Sequence, residues 1–207
     1  NTLKSRIAGG QVLESTFGPG AAAAFDKVKA VHIVACGTSY HAGLVARYWI
    51  EAICRIPCSV EIASEYRYRD PVVPDGTLFV TISQSGETAD TLAALRAAKK
   101  VDYISTLVIC NVPESSMVRE SDLVLITNAG PEIGVASTKA FTTQLAALSL
   151  LTIALGRRHG LDNATETELV DQISELPVLI KKILDLDKNI PSLAQHFADK
   201  HHALFLG

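Results

Sequence analysis

The chain has 207 residues, of which 48% are apolar and 20% are charged, and its formal net charge at pH 7 is −3. This composition predicts a folded globular protein with one sizeable core or two small ones, and it argues against disorder. No run of Lys or Arg is longer than two residues. The chain therefore offers no basic surface for a polyphosphate backbone, and nucleic acid is not an expected partner.

Five short β-rich runs alternate with segments of helical period. The predicted strands are 31–36, 59–63, 77–83, 105–111 and 123–127. The predicted helices that connect them are 40–52, 88–99 and 138–156. Such alternation is typical of βαβ units, and several runs are apolar throughout, as strands covered on both faces are. The sequence therefore predicts an α/β fold with a doubly wound, three-layer, five-stranded parallel sheet.

The ends of the chain predict additional elements. Residues 1–30 are expected to be a helical lead-in, 31–160 the main domain, and 161–200 a helical extension. In that extension, 165–187 has the spacing of an amphipathic helix that breaks or bends near Pro177, and a further helix is expected at 192–200. The final HALFLG (202–207) resembles HIVACG (32–37), so we expect 201–207 to be the first strand of a second, truncated domain.

Other features bear on the location of the protein. The apolar stretch 145–155 is too short to span a bilayer and is expected to be a buried helix, so no membrane is expected. The first ten residues, NTLKSRIAGG, contain neither Met nor an apolar leader, which is expected of a piece of a longer chain. No CxxC pair is present, so reduced cysteines in the cytosol are expected rather than a metal site or disulfides; they are Cys36, Cys54, Cys58 and Cys110.

Small polar residues follow three of the predicted strands, at 37–39, 83–88 and 134–138. In an open parallel sheet, ligands bind beyond the carboxyl ends of the strands, beside helix N-termini that favour anions. Neither a GKS/GKT P-loop nor a GxGxxG motif is present, which disfavours nucleoside triphosphates and dinucleotides. A sugar monophosphate held by neutral donors fits. Each hydroxyl could alternatively serve only to cap a helix.

Three motifs lie at these strand ends: ACGTSYHAG (35–43), SQSGETADT (83–91) and EIGVASTKAFTTQL (132–145). With them, the chain resembles the first sugar isomerase (SIS) domain of the glutamine:fructose-6-phosphate aminotransferase family. The resemblance implies a flavodoxin-like sheet that binds fructose 6-phosphate or glucosamine 6-phosphate. It implies that Ser83, Gln84, Ser85 and Thr88 surround the phosphate. The residues implied to contact the sugar are Thr38, Ser39, Val135, Ala136 and Ser137.

The family aminates a ketose with glutamine-derived ammonia and then isomerises it to an aldose. The resemblance places the general base, the ring-opening histidine and the carbonyl-binding lysine in a second SIS domain and tail beyond Gly207. We therefore expect no catalytic residue, cofactor or metal here, and a chain that binds without turnover. The implied partners are a glutaminase domain, the second SIS domain and a second copy in a cytoplasmic homodimer. The alternatives are a non-catalytic phosphosugar-sensing SIS module and a stand-alone isomerase.

Overall fold

The computed structural model describes residues 1–132 and 137–204. Its strands are β1 Ile7–Ala8, β2 Gln11–Val12, β3 Ala30–Ala35, β4 Cys58–Ile62, β5 Thr77–Ser83, β6 Ser105–Cys110 and β7 Leu123–Ile126. Its α-helices are α1 Ala21–Phe25, α2 Gly37–Trp49, α3 Ala63–Tyr66, α4 Ala89–Ala98, α5 Ser116–Glu120, α6 Lys139–Gly156, α7 Asn163–Leu184 and α8 Ile190–Gln195. All five strands that the sequence predicts for the main sheet are present, and each boundary agrees within one residue.

The main sheet is parallel and has the strand order β4-β3-β5-β6-β7. Every residue of β3 and β5 is buried, as in a sheet with helices on both faces. The chain goes from β3 to β4 on one side and then returns to β5 on the other. The topological switch point therefore lies between β3 and β5, where the end residues Ala35 and Ile82 are paired.

Alternate residues of β3 face opposite helical layers. Val34 belongs to a core cluster with Tyr66 of α3 and Leu95 of α4. On the other face, α2 lies so close to the sheet that a Cβ on Gly43 would come 2.9 Å from Ile33 Cγ2. These two layers confirm the predicted doubly wound architecture.

Helix α6 is the most apolar helix of the fold. By length and composition alone, residues 139–159 could cross a membrane, but 61% of that window is buried inside the protein. The helix packs against α2, and residues such as Leu148 and Leu151 are fully buried. This packing is that of a core helix, which agrees with the expectation of a buried helix over 145–155.

The N-terminal segment differs from the expected helical lead-in. The strands β1 and β2 form an antiparallel hairpin across Gly9 and Gly10, both of which have positive φ. A 3₁₀ turn at Glu14–Phe17 and the short α1 complete the segment. A Gly-Gly pair between short β-compatible stretches favours a tight hairpin turn, and this local turn chemistry replaces the expected helix.

The chain forms two compact units, one that extends to Val170 and a second that begins at Asp171. Helix α7 runs continuously through Pro177, so of the break or bend expected near that residue, the break is absent. Proline removes only one helical hydrogen bond, and the turns on either side retain theirs. The second expected helix is α8, which lies earlier than 192–200. Residues 201–204 form no regular element, and the rest of the expected final strand lies outside the described residues.

Candidate functional site

A cleft of about 400 Å³ lies at the carboxyl edge of the sheet. It is centred on the switch point between β3 and β5, where ligands of open α/β sheets bind. Side chains from all three polar strand ends predicted from the sequence line it. The lining residues are Cys36, Gly37, Thr38, Ser39, Ile82, Ser83, Gln84, Ser85, Thr88, Thr91, Glu132 and Ser137.

The first loop leads directly into α2. Gly37 has a φ of 56°, and the helix begins there, so Thr38 and Ser39 lie in its first turn. The N-cap residue, Cys36, makes no side-chain capping hydrogen bond. Because the first N–H groups of a helix have no partner within it, this helix start can donate hydrogen bonds to an anion in the cleft.

The second loop is shaped by its own serines. Ser83 Oγ accepts a hydrogen bond from the Gly86 backbone N–H at 2.9 Å, and it lies 3.4 Å from Thr88 Oγ1. Ser85 Oγ accepts a hydrogen bond from the Glu87 backbone N–H at 3.2 Å. Thr88, the N-cap residue of α4, makes no side-chain capping bond. These hydroxyls fold the loop rather than cap the helix.

Helix α5 fixes this loop from behind. The Met117 backbone N–H donates to the Gly86 carbonyl at 3.2 Å, and the Ser116 backbone N–H donates to Glu87 Oε1 at 2.6 Å. The latter hydrogen bond lowers the pKa of Glu87. Gly86 has a φ of 69°, and a Cβ there would lie 2.0 Å from Ser115 Oγ. Gly86 and Glu87 therefore form the contact between the loop and α5, Gly86 by its lack of a side chain and Glu87 by its carboxylate.

The third loop brings Ser137 and Glu132 to the cleft. Glu132 Oε2 accepts a hydrogen bond from the Ala140 backbone N–H at 3.0 Å, so this carboxylate caps the start of α6. Asn111 holds the beginning of the loop, since its Oδ1 accepts from the Ala129 N–H at 2.7 Å. The other two predicted sugar contacts, Val135 and Ala136, lie outside the described residues.

The structure thus brings together all seven of the predicted site residues that it describes. Their contact with a ligand stays a prediction. Sequence reasoning missed Cys36, Thr91 and Glu132 as lining residues, although all three lie within the quoted motifs. It also missed Gln144, which lies behind Ser39. A sequence signal for Gln144 does exist. It lies four positions from both Ala140 and Leu148, so the helical period places this polar side chain on the buried apolar face of α6.

Two further features describe the chemistry available. Among residues 1–132 and 137–204, no group of three or more His, Cys, Asp or Glu side chains is placed to hold a metal ion. Glu132 is the one carboxylate among the described residues that line the cleft. The other polar side chains there are hydroxyls, one amide and one thiol. The cleft can therefore bind through neutral hydrogen-bond donors and two helix starts.

Comparison with known proteins agrees with this geometry. The family model described as "SIS domain" matches residues 24–154. A glutamine–fructose-6-phosphate aminotransferase (isomerizing) from Pseudomonas putida is 60% identical over all 207 residues, and its Escherichia coli K12 counterpart is 57% identical. This chain spans about a third of either relative, 34% of its length.

A solved structure gives the same result. The C-terminal domain of glucosamine-fructose-6-phosphate aminotransferase from Francisella tularensis superimposes with a TM-score of 0.94 at 50% identity. The alignment covers 100% of this chain and 58% of that one. Since the family model covers more than half of the chain and the strand order and cleft agree with it, the chain belongs to the SIS domain family.

Proposed function

We propose that the cleft binds one phosphosugar, fructose 6-phosphate or glucosamine 6-phosphate. We also propose that the chain is the sugar-phosphate-binding domain of an isomerizing glutamine–fructose-6-phosphate aminotransferase. The observation that carries the proposal is the convergence of three hydroxyl-bearing loops and two helix starts on one cleft of about 400 Å³. The 60% identity to the Pseudomonas putida aminotransferase supports the choice of sugar.

The phosphate is assigned to the second loop. Ser83, Gln84, Ser85 and Thr88 surround the start of α4, and α2 begins beside them. Helix starts and hydroxyl donors together favour a phosphate, because its oxygens only accept hydrogen bonds when it is ionised. A single phosphate is favoured over a polyphosphate, since the described lining residues include no lysine or arginine.

The sugar is assigned to the space beside the phosphate. Thr38 and Ser39 supply hydroxyls from the first loop, and Ser137 supplies one from the third. Val135 and Ala136 are proposed to complete this contact, as the family resemblance implies. The cleft volume lies within the range of about 300 to 1,000 Å³ that is usual for small-molecule sites.

Amination and isomerisation are proposed to require residues outside this chain. We propose that the chain acts with a glutaminase domain and a second SIS domain, in a cytoplasmic homodimer. Exposed apolar side chains in the second unit support a partner surface, since Leu184 is 67% exposed and Phe197 is 59% exposed. The four unpaired cysteines support a reducing compartment.

Calorimetric titration of the chain with glucosamine 6-phosphate tests the proposal. We expect saturable binding, with far weaker binding of glucosamine and of inorganic phosphate. Ser85→Ala should weaken binding by about 1.5 to 3 kcal/mol, the usual range for a hydrogen bond to a charged group. Ser59→Ala is the matched control, because Ser59 is exposed on β4 and lies outside the cleft. Equal binding of glucosamine with and without its phosphate would contradict the proposal.

A further inference from the structure

Gln144 of α6 lies directly behind the cleft. Its Nε2 donates a hydrogen bond to Ser39 Oγ at 3.0 Å. Gln144 is only 2% exposed and Ser39 only 7% exposed, so water does not compete for this bond. Ser39 lines the cleft, whereas Gln144 does not. Gln144 therefore reaches a ligand only through Ser39.

The polarity of this bond determines what Ser39 can do. A hydroxyl has one proton to donate and two lone pairs that accept. Because the amide N–H occupies a lone pair of Ser39 Oγ, the Ser39 proton stays available for another acceptor. Among the described residues, Ser39 Oγ makes no other side-chain hydrogen bond. Its proton is therefore available to an oxygen atom in the cleft.

The opposite end of the Gln144 amide has no such partner. Its Oε1 is buried and, within the described part of the chain, accepts no hydrogen bond. A buried acceptor without a donor is costly. If the amide turned over, Oε1 would instead accept the Ser39 proton, and Ser39 could no longer donate into the cleft. In the observed orientation, Gln144 Oε1 is left without a hydrogen-bond donor, and Ser39 keeps its proton for an acceptor in the cleft.

We propose that Gln144 is a positioning residue that keeps Ser39 as a hydrogen-bond donor to the phosphosugar. The proposal rests on the proposed function of the cleft and adds a specificity element to it. An amide achieves this without bringing a charge into a buried site, which would be penalised by desolvation. This orientation of Ser39 favours ligands that present an acceptor oxygen to it, such as a hydroxyl, a carbonyl or an ionised phosphate.

The substitution Gln144→Glu reverses the polarity and supplies the test. An ionised carboxylate only accepts, so it takes the Ser39 proton and turns a lone pair of Ser39 towards the ligand. A protonated carboxyl group can donate to Ser39 as the amide does. Burial without a partner charge raises the pKa of a carboxyl group, so this exchange should occur within an accessible pH range.

The experiment is calorimetric titration of the full chain with glucosamine 6-phosphate between pH 8 and pH 6. Affinities are expressed relative to wild type at each pH, because the ligand phosphate titrates in this range with both proteins and Glu132 lines the cleft in both. At pH 8, Gln144→Glu should weaken binding about tenfold or more, as expected when one hydrogen bond to an oxygen acceptor is lost. The affinity should return towards wild type as the pH falls. Circular dichroism verifies that the variant is folded.

A double-mutant cycle separates positioning from a general effect of charge or packing. In a Ser39→Ala background, Gln144→Glu should lose its pH-dependent effect on affinity, because no hydroxyl remains to be oriented. Gln144→Met, which is uncharged and similar in size, should weaken binding severalfold in the wild-type background and not in the Ser39→Ala background. This second variant gives a result even if Gln144→Glu does not fold.

The possible outcomes are distinguishable. Wild-type binding together with an unchanged affinity of Gln144→Glu overturns the role of Gln144 alone. The same conclusion follows if the effects of Gln144→Met and Ser39→Ala simply add. A wild-type chain that binds no phosphosugar overturns the proposed function, and the role of Gln144 with it.

Discussion

The Ser83 hydroxyl oxygen accepts a hydrogen bond from the Gly86 backbone N–H across the tight loop after β5. Ser83 is 3% exposed, whereas Ser85, two residues later, is exposed. The two serines of the motif therefore have different roles. Ser83 makes a buried hydrogen bond within the loop and also lines the cleft, whereas the loop hydrogen bond of Ser85 is exposed and leaves this serine more accessible to a ligand.

Substitution of the two serines should separate these roles. Ser83→Ala leaves the buried Gly86 N–H without a partner, so it should lower the free energy of unfolding by about 1 to 3 kcal/mol and also weaken phosphosugar binding. Ser85→Ala should weaken binding and change the free energy of unfolding by less than about 0.5 kcal/mol. Urea unfolding and calorimetry on both variants measure the two effects. Equal stability losses in the two variants would contradict the separate roles of Ser83 and Ser85.

Gly86 gives a second prediction about the same loop. In Gly86→Ala, the new Cβ would meet Ser115 Oγ at 2.0 Å and Cys110 Sγ at 2.8 Å, at a φ of 69°. We expect a loss of unfolding free energy of about 2 to 5 kcal/mol from overpacking and backbone strain together. The matched control is Gly130→Ala, since Gly130 has a φ of 73° and open space around it. The control should lose only about 1 to 2 kcal/mol from strain.

Thermal or urea unfolding of the two glycine variants measures the difference. If both variants lose the same amount, the contact between the loop and α5 contributes nothing beyond backbone strain. A binding measurement on Gly86→Ala adds a second readout, because displacement of the loop should also reduce phosphosugar affinity.

The strands and the polar strand ends could be predicted from sequence because their signals are local. Apolar β-rich runs such as 77–83 specify buried strands, and parallel strands place their carboxyl ends at one edge. The contact between Gln144 and Ser39 could not be predicted in this way. It joins residues 105 positions apart, and it depends on how α6 packs against α2. Neither residue propensities nor motif spacing predicts how these two helices pack.

The N-terminal hairpin was mispredicted, and α7 does not break at Pro177, for related reasons. At Gly9 and Gly10 the turn chemistry was present in the sequence, but the flanking strands are only two residues long. At Pro177 the local rule predicts a break, and the helical hydrogen bonds of the surrounding turns outweigh it. In strands of two residues the local signal is too short to predict the element, and at Pro177 the surrounding helical turns outweigh the local rule.

Cys36 offers a test of the cleft that requires no substitution in it. Cys36 is partly exposed and lines the cleft, whereas the other three cysteines are buried. Burial raises the pKa of Cys54 to about 12, and it does the same for Cys58. Since alkylation requires an accessible thiolate, iodoacetamide should modify Cys36 first.

Phosphosugar should protect Cys36 from this reaction. At ten times its Kd, glucosamine 6-phosphate should slow modification of Cys36 about tenfold, because it occupies the same cleft. Glucosamine at the same concentration serves as the control ligand and should protect much less. Peptide mapping by mass spectrometry assigns the modified residue. Rapid modification of Cys36 at saturating phosphosugar would place the ligand elsewhere.

A buried ion pair anchors the N-terminal segment to the rest of the first unit. Glu166 is fully buried, and Arg157 Nε donates to its two carboxylate oxygens at 3.0 and 2.8 Å. Glu166 also accepts from the Val12 backbone N–H at 3.2 Å, and Arg157 Nη1 lies 3.1 Å from Glu14 Oε1. Glu166 lies in the first turn of α7, and its carboxylate binds Arg157, which follows α6, and Val12 of the hairpin. It thus connects these three parts of the chain.

Glu166→Ala should therefore be strongly destabilising. The substitution leaves the Arg157 guanidinium and the Val12 N–H without this partner, and loss of one member of a buried pair costs about 3 to 5 kcal/mol. Glu65→Ala, at an exposed position of α3, should change stability by less than about 0.5 kcal/mol. Urea unfolding measures both. A loss below about 1 kcal/mol in Glu166→Ala would show that the segment is held by its apolar contacts alone.

His32 of β3, which does not line the cleft, provides a pH-dependent prediction. Its Nδ1 lies 2.8 Å from Tyr103 Oη, and its Nε2 lies 2.9 Å from Glu61 Oε1. The latter contact has the distance of an ion pair but not the direction of a hydrogen bond. Burial lowers the pKa of His32. The Glu61 carboxylate raises this pKa but only partly offsets the effect of burial, and the nearby charge of Arg69 lowers it further.

The sign of the effect follows from the direction of this shift. Below the ordinary histidine pKa of 6.5, the unfolded chain takes up a proton that the folded His32 does not bind. Stability should therefore decrease as the pH falls from 6.5 towards the lowered pKa of the folded state. The slope contributed by His32 can reach about 1.4 kcal/mol per pH unit. Glu61, whose pKa is lowered, contributes its own loss only at more acidic pH, below about 4.5.

Urea unfolding at pH 7.5, 6.5 and 5.5 tests this contribution. His32→Asn should be less stable than wild type at pH 7.5, since it loses aromatic contacts with Tyr66 and Phe79. It should also show a flatter dependence of stability on pH between 6.5 and 5.5. His41→Asn is the matched control, because His41 is exposed, and it should keep the wild-type slope. If His32→Asn keeps that slope as well, the acid sensitivity of the fold arises from other groups, and His32 is protonated equally in the folded and unfolded chains.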